Sequence, residues 1–325
     1  MKTVITITGA AGRIASYIIP RIGEILSSTD ETIELRLLDI DSCMKKLEGI
    51  ILETQDCAFT FLDKVTCTTD PAEAFTGANL IIMVGGAPRK KGTKRSDLLL
   101  VNGQIYKEQA KHINDHAAVD AKVLVIANPC NANAYVVLKN APNLAKENIF
   151  AMTMLDQNRA CAQLASKYNL DINGIEDLCV LGNHSKSMFV DFYHAKILGR
   201  ALTDVINDET WLKEDFIQNV AMRGDEIIEA SGMSSAMSAA NATIDALSWI
   251  LNKEPNYTIS MGICSKGEYG SQVDNIVSLP CRYNDHGVIE SVSNLEYDEH
   301  AKSMLANTFA ELAEEVRLLH ENGLA

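Results

Sequence analysis

The sequence has no apolar run of about 18 residues, the length that a membrane-spanning helix needs. None of its eight cysteines forms a CxxC pair, so we expect reduced thiols in a cytosolic protein. Positive charge is also scarce: 29 Lys and Arg residues face 43 Asp and Glu residues, which gives a net charge of −14. That balance excludes a nucleic-acid binder held by a basic face. The composition therefore predicts a cytoplasmic protein that binds neither nucleic acid nor membrane.

The length of 325 residues predicts two domains, since a domain has roughly 150 residues. Short apolar runs in the first half alternate with helical patterns, which is typical of βαβ units and a parallel sheet. These runs lie at 4–8, 33–38, 80–84 and 123–127. The pattern then changes, so we place the boundary near residue 150. Residues 1–150 carry 17 charges of each sign, whereas residues 151–325 carry 12 positive and 26 negative charges. The first part therefore repels an anionic ligand less than the second.

A glycine turn follows the first apolar run and precedes a helical pattern. Its spacing, GxxGxxA, is a variant of a dinucleotide-binding fingerprint, in which glycines let backbone N–H groups approach a pyrophosphate at a helix N-terminus. The alternative is a glycine-rich turn that binds no ligand. The residues assigned to the cofactor in this turn are Gly9, Ala10, Ala11, Gly12, Arg13, Ile14 and Ala15.

An acidic residue, Asp39, ends the second apolar run. An acid roughly 20 residues or more beyond the glycines can bind both ribose hydroxyls, and its charge would repel a 2′-phosphate. The sequence therefore predicts NAD rather than NADP as the cofactor. The alternative role for Asp39 is a helix N-cap, for which Asp41 competes.

Five basic side chains lie within seven positions, 89–95, after the run that ends at 84. We interpret this segment as a mobile lid whose arginines, Arg89 and Arg95, bind a small dianion. A solvated basic loop is one alternative. A nucleic-acid or localisation patch is another alternative, which the negative net charge of the chain disfavours.

A histidine, an aspartate and an arginine suggest hydride-transfer chemistry beside a nicotinamide site. Asp156 and Arg159 lie three apart on a predicted helix and share a face, which also suits a simple ion pair. His184 lies in a Gly/Asn loop and can act as a general acid or base when a carboxylate fixes its tautomer. His112 and His116 lie four apart, but no third ligand is visible, so we predict no metal site.

Seven segments, in this order and spacing, resemble the cytosolic-type NAD-dependent malate dehydrogenases of the lactate/malate dehydrogenase superfamily. They are GAAGRI, LLD, GGAPRKKGTKRSDLL, IANP, LDQNRA, GNHS and SSAMSAA. The resemblance implies an α/β fold: a doubly wound Rossmann domain that binds NAD at 1–150 and an α+β catalytic domain at 151–325. It also implies a homodimer, a dicarboxylate substrate, and a place in malate metabolism and the tricarboxylic acid cycle.

The resemblance assigns a role to each matching position. His184 takes the proton of the malate hydroxyl and Asp156 supports it. Arg159 binds the C1 carboxylate of the substrate, and Arg89 binds its C4 carboxylate. Arg95 polarises the substrate carbonyl, and Asn128 forms a hydrogen bond with the substrate oxygen. Further NAD contacts are implied at Asn102, Gln109, Ile126, Ala127 and Asn128.

Two other functions compete with this interpretation. The first is a lactate dehydrogenase, or another 2-hydroxy acid dehydrogenase, on the same scaffold. Arg89 favours a dicarboxylate, because its guanidinium would be left unpaired against the methyl group of pyruvate in a closed site. The second is a non-catalytic NAD-binding sensor, which the presence of His184, Asp156 and the three arginines disfavours.

Overall fold

Strands and helices alternate along the first half of the chain, as the sequence predicts. The structure, a computed structural model, describes residues 2–26, 31–87, 95–252 and 258–325. Its strands are β1 (Lys2–Thr8), β2 (Thr32–Leu38), β3 (Leu62–Thr68), β4 (Leu80–Met83), β5 (Lys122–Val125), β6 (Ile149–Ala151), β7 (Ile175–Glu176), β8 (Cys179–Leu181), β9 (Phe189–Asp191), β10 (Lys196–Ile197), β11 (Arg200–Ala201), β12 (Ile259–Cys264), β13 (Ile276–Tyr283) and β14 (Ile289–Ser291). Its α-helices are α1 (Arg13–Ile18), α2 (Met44–Asp56), α3 (Pro71–Phe75), α4 (Arg95–His116), α5 (Cys130–Asn140), α6 (Met154–Tyr168), α7 (Leu202–Val205), α8 (Glu209–Trp211), α9 (Ile217–Ser231), α10 (Met237–Asn252) and α11 (Glu299–Glu321).

The chain forms two compact units, and each is built from more than one segment. Unit 1 consists of Met1–Met152, Ala236–Asn252 and Glu315–Ala325. Unit 2 consists of Thr153–Ser235 and Lys253–Glu314. The first change of unit lies two residues beyond the boundary that the sequence suggests, whereas the return of the two later segments to unit 1 has no signal in the sequence.

Unit 1 contains a parallel sheet in the order β6-β5-β4-β1-β2-β3. All four residues of β4 are buried, as expected for a strand that helices cover on both faces. The chain leaves β1 on one side and returns to β4 on the other. Ligands of open α/β sheets bind at such a reversal, outside the carboxyl ends of the strands. The predicted α/β fold, with a doubly wound N-terminal domain, is confirmed.

The later segments of unit 1 complete its packing. Helix α10 packs against α1, and Arg21 Nη1 donates a hydrogen bond to Asn241 Oδ1 at 2.8 Å. Near the C-terminus, the amide of Asn140 donates to the backbone carbonyl of Leu324 at 2.9 Å.

Two elements of unit 1 differ from the sequence-based expectation. Strand β3 is not among the apolar runs that predict the sheet. It lies at the edge of the described sheet beside β2, and its sequence LDKVTCT does not have the continuous apolar character of the central strands. The single helix that the pattern after the glycine turn predicts is instead α1 followed by a 3-10 helix, Ile19–Ile25. Pro20 lies in the first turn of that segment, where it cannot donate the hydrogen bond that would continue the α-helix.

Unit 2 contains antiparallel strands and helices. Strands β12, β13 and β14 pair antiparallel, as do β8 and β9. Helix α6 is tied to β12 by the buried Gln157, whose Oε1 accepts from the backbone N–H of Ser260 at 2.6 Å. A π-helical segment (Leu212–Phe216) joins α8 to α9.

Three further observations bear on the classes of protein considered above. Across the described ranges, no helix is long and apolar enough to cross a membrane. Within the same ranges, no group of three or more His, Cys, Asp or Glu side chains could hold a metal ion. All eight cysteines are described, and none forms a disulfide.

Candidate active site

The glycine turn brings the ends of β1 and β4 together in unit 1. Gly9 has a φ of +62°, and a Cβ on it would lie 2.3 Å from the Cα of Gly85. Gly12 donates its N–H to the carbonyl of Gly9 at 2.8 Å, and a Cβ on Gly12 would lie 2.9 Å from that oxygen. Since a side chain at either position would meet backbone atoms, the turn itself requires both glycines.

Asp39 lies against this turn, at the end of β2. Its Oδ2 accepts the N–H of Ala11 at 2.9 Å and its Oδ1 accepts the N–H of Ile40 at 2.9 Å. These bonds fix a carboxylate next to the glycine turn at the point where the strand order reverses. A carboxylate here suits two ribose hydroxyls and disfavours a 2′-phosphate. The residues present therefore fit NAD.

The amide of Asn102 joins two loops of unit 1. Its Oδ1 accepts the N–H of Ala87, and its Nδ2 donates to the carbonyl of Asn128, each at 2.7 Å. Asn102 is buried on α4, so it holds the segments that follow β4 and β5. The assignment of Asn102 to the cofactor stays a prediction, and its side-chain bonds hold the loop that carries Asn128.

Three other predicted cofactor residues lie on the loop after β5 or on α4. Ile126 and Ala127, just after β5, donate their N–H groups to the carbonyl of Met83 at 2.9 and 3.3 Å. Gln109, two turns after Asn102 on α4, has a buried Oε1 with no hydrogen-bond partner among the described residues. A buried acceptor without a donor is costly, so Gln109 retains the capacity to bind a ligand or water.

Arg95 begins α4 as described, and its Nε lies 2.6 Å from Glu315 Oε1, within unit 1. The Glu315 side chain is 8% exposed and that of Arg95 is 38% exposed. The sequence places Arg95 on a lid that binds substrate, and the structure shows a carboxylate already on its guanidinium. Arg89 lies outside the described residues.

His184 and Asp156 form a hydrogen-bonded pair in unit 2. Asp156 is buried in the first turn of α6, and His184 lies on the loop between β8 and β9. Oδ2 of Asp156 accepts the hydrogen bond of His184 Nδ1. A carboxylate on Nδ1 keeps the proton there and leaves Nε2 as the basic nitrogen. The pair is therefore arranged so that Nε2 can take a proton from a substrate.

Arg159 lies beside this pair on the same face of α6. Its Nη1 contacts Asp156 Oδ1 at 3.2 Å, and its Nη2 donates to Ser235 Oγ at 3.1 Å. Its Nε is buried and has no hydrogen-bond partner in the part of the chain that the structure describes. The guanidinium is thus fixed, 11% exposed, and retains a donor for an anionic group.

Several residues that shape these sites carry no recognisable sequence signal. Ser235, Glu311 and Glu315 contact predicted site residues or their loops only after the chain has folded. Cys161 lies on α6 as well, but burial raises the pKa of its thiol to about 12, so it is no candidate nucleophile.

Family models match nearly the whole chain. The model for the NAD binding domain of lactate/malate dehydrogenase matches residues 3–150, and that for the alpha/beta C-terminal domain matches residues 153–322. The chain belongs to the lactate/malate dehydrogenase family. It is therefore an NAD-dependent oxidoreductase, and both the predicted cofactor and the resemblance drawn from the motifs are confirmed.

Individual members of the family resemble the chain over its full length. A malate dehydrogenase of Rubrobacter xylanophilus is 43% identical over 327 residues, which cover 100% of this chain and 99% of that protein. The crystal structure of malate dehydrogenase from Naegleria fowleri has a TM-score of 0.94 at 36% identity and covers 99% of both chains. The structure of Trichomonas vaginalis lactate dehydrogenase in complex with NADH and oxamate has a TM-score of 0.92 at 33% identity and covers 98% of both chains.

Proposed function

We propose that this chain is a malate dehydrogenase that interconverts (S)-malate and oxaloacetate with NAD. The pair of His184 and the buried Asp156, with Arg159 beside it, carries the proposal, because it combines a proton acceptor with a fixed cation for a carboxylate. The relatives from R. xylanophilus and N. fowleri, both named malate dehydrogenases, support the choice of substrate.

The residues of unit 2 would act on the substrate as follows. Nε2 of His184 takes the hydroxyl proton, and Asp156 stabilises the imidazolium that forms. The guanidinium of Arg159 binds the C1 carboxylate, for which its buried Nε–H is available. When bound by the glycine turn and Asp39, NAD supplies the acceptor for the hydride that leaves C2 of malate. The C2–O bond becomes a carbonyl as the proton and the hydride depart.

The remaining substrate residues are assigned by the resemblance. We propose that Arg89 binds the C4 carboxylate, that Arg95 polarises the carbonyl and that Asn128 binds the same oxygen. For Arg95 this role requires exchange of Glu315 for the substrate, since Glu315 holds its guanidinium in this structure.

A lactate dehydrogenase is the second candidate. The likeness to T. vaginalis lactate dehydrogenase favours it, because that structure shares the fold at 33% identity. The two candidates share the chemistry of His184 and Arg159, and they differ in whether the substrate has a second carboxylate. Arg89 would bind that carboxylate and therefore favours malate.

We also propose a cytoplasmic homodimer that acts in malate metabolism, including the tricarboxylic acid cycle. The eight cysteines without a disulfide support a reducing compartment. Size-exclusion chromatography with light scattering would test the dimer. A mass of one 35.5 kDa chain would contradict it.

The substrate preference is tested by measuring NADH oxidation with oxaloacetate and with pyruvate. NADPH in place of NADH tests the cofactor preference. We expect wild type to prefer oxaloacetate and Arg89→Leu to lose that preference by about 100-fold or more in kcat/KM. Lys91→Leu, which removes a neighbouring cation, is the matched control and should keep the preference. A wild type that prefers pyruvate would identify a lactate dehydrogenase instead.

A further inference from the structure

Two side chains of α11 hold the loop that carries His184, within unit 2. The loop joins β8 to β9, and the partly buried Glu311 lies against it. Oε2 of Glu311 accepts hydrogen bonds from the hydroxyls of both Ser185 and Ser187. These serines are the first and third residues after His184, so one carboxylate oxygen holds the loop on the C-terminal side of the imidazole.

Thr308, one turn earlier on α11, holds the other side of the imidazole. Its Oγ1 accepts the backbone N–H of Asn183 at 2.8 Å and lies 3.1 Å from Ser187 Oγ. Its methyl group packs against Gly182, where an added Cβ would lie 2.2 Å from Thr308 Cγ2. The residues before and after His184 therefore both contact this turn of α11.

The loop is held by different kinds of bond before and after His184. Two residues before His184, Gly182 exchanges backbone hydrogen bonds with Ser278 at 2.9 Å. After His184, the bonds to Glu311 are hydroxyl-to-carboxylate bonds, which are roughly twice as strong as bonds between neutral groups. Loss of Glu311 would leave two hydroxyls without their charged acceptor and release the C-terminal half of the loop.

We propose that Glu311 is a positioning residue for the proton transfer of the proposed function. By accepting from Ser185 and Ser187 together, it holds His184 in the orientation in which Nδ1 meets Asp156 and Nε2 can reach the substrate hydroxyl. Glu311 touches neither substrate nor cofactor in this role. A displacement of a reacting group by about 1 Å can lower a rate by about 100-fold, so a modest shift of the loop is enough to matter.

Two substitutions at Glu311 separate positioning from charge. Glu311→Ala removes the acceptor, and we expect kcat to fall by about 10- to 100-fold while the Kd of NADH is unchanged. Glu311→Gln keeps an amide oxygen that can accept from both serines, and kcat should stay within about threefold of wild type. Glu314→Ala, an exposed acid three residues further along α11, is the matched control and should leave kcat unchanged.

A double-mutant cycle tests whether Glu311 acts through the serines. Ser185→Ala with Ser187→Ala should lower kcat as Glu311→Ala does, and the triple variant should lose no more than either. A merely structural role would instead lower the melting temperature and give multiplicative losses. Wild-type kcat in Glu311→Ala, a Glu311→Gln variant as slow as Glu311→Ala, or multiplicative losses would each overturn the proposal.

The proton NMR signal of the His184 imidazole N–H provides a readout that needs no turnover. The signal is assigned by its absence from the spectrum of His184→Gln. It should shift or broaden in Glu311→Ala and keep its chemical shift in Glu311→Gln and Glu314→Ala. Absence of wild-type turnover on any 2-oxo acid would overturn the proposed function, whereas the imidazole signal would still decide whether Glu311 positions His184. An unchanged signal in Glu311→Ala would count against the positioning role.

Discussion

His194 and Asp191 form a second imidazole–carboxylate pair in unit 2, with His194 Nδ1 at 2.9 and 3.0 Å from the two carboxylate oxygens. Asp191 is buried and also accepts the hydroxyl of Tyr297 at 2.8 Å. The hydrogen bond to Asp191 raises the pKa of His194, and one to the backbone of Glu296 adds to this effect. The pair resembles that of His184 and Asp156 in its contacts, but His194 is tied to structural groups on both sides.

The stability of the protein should depend on pH through His194. Because its folded-state pKa is raised, its contribution is fully present below the unfolded pKa of about 6.5 and is lost as pH rises through the folded value. We expect His194→Gln to lower the free energy of unfolding by about 1 to 3 kcal/mol at pH 6 and by less at pH 9. Urea unfolding of both proteins from pH 5.5 to 9 measures this. A difference that grows with pH would contradict the assignment.

Asp156→Asn should reduce catalysis without unfolding the protein. The amide can donate to Nδ1 and so favour the wrong imidazole tautomer, which in comparable pairs lowers kcat by about 10,000-fold. We expect a fall of about 100- to 10,000-fold in kcat with little change in the Kd of NADH, measured by fluorescence. His194→Gln is the matched control, since it removes the other histidine–aspartate pair and should keep kcat.

Gly9→Ala should destabilise unit 1 and weaken NADH binding. The new methyl group would meet the backbone of Gly85 in a φ region that disfavours a side chain, so a loss of about 2 kcal/mol or more in unfolding free energy is expected. Gly77 has nearly the same φ, +65°, but its Cβ would meet nothing within 4 Å. Gly77→Ala should therefore cost only about 1 kcal/mol and leave the Kd of NADH unchanged. Equal effects of the two substitutions would argue against close approach at Gly9.

Asp39→Ser should narrow the preference for NADH over NADPH. The substitution removes the charge that opposes a 2′-phosphate and an acceptor for the ribose hydroxyls, so kcat/KM should fall with NADH and rise with NADPH. Asp41→Ser is the control, because Asp41 is exposed and begins a 3-10 helix. A switch in preference caused by Asp41→Ser alone would reassign the ribose site.

The parallel sheet could be predicted because its inner strands are nearly continuous apolar runs. β1, β2, β4 and β5 all lie where the sequence places them, and each is bounded by residues that end strands. Strand β3 could not be found in this way, because LDKVTCT at the sheet edge mixes charged and polar residues with apolar ones. Such a strand is identified only by its pairing with β2.

The candidate site was predictable where a residue type has few other uses. His184 in a glycine loop and Asp39 at a strand end are recognisable from local sequence alone. Glu311 lies 126 residues from Ser185, and Glu315 lies 220 from Arg95, so no spacing rule links them. His194 and Asp191 show the opposite error, since a sequence rule that sought His near Asp would select a structural pair.

Unit 1 is assembled from three segments of the chain that are synthesised at different times. A ribosome adds about 5 to 20 residues per second, so residues 1–152 are made well before 236–252 and 315–325. Until then, the surface of α1 that α10 covers and the carbonyl-binding amide of Asn140 have no covering segment from their own unit. Helix α1 is therefore enclosed only by a segment that is made more than 200 residues after it. Unit 1 is complete only after residues 315–325 have been made, and nascent chains that still lack α10 expose the surface of α1 that this helix covers.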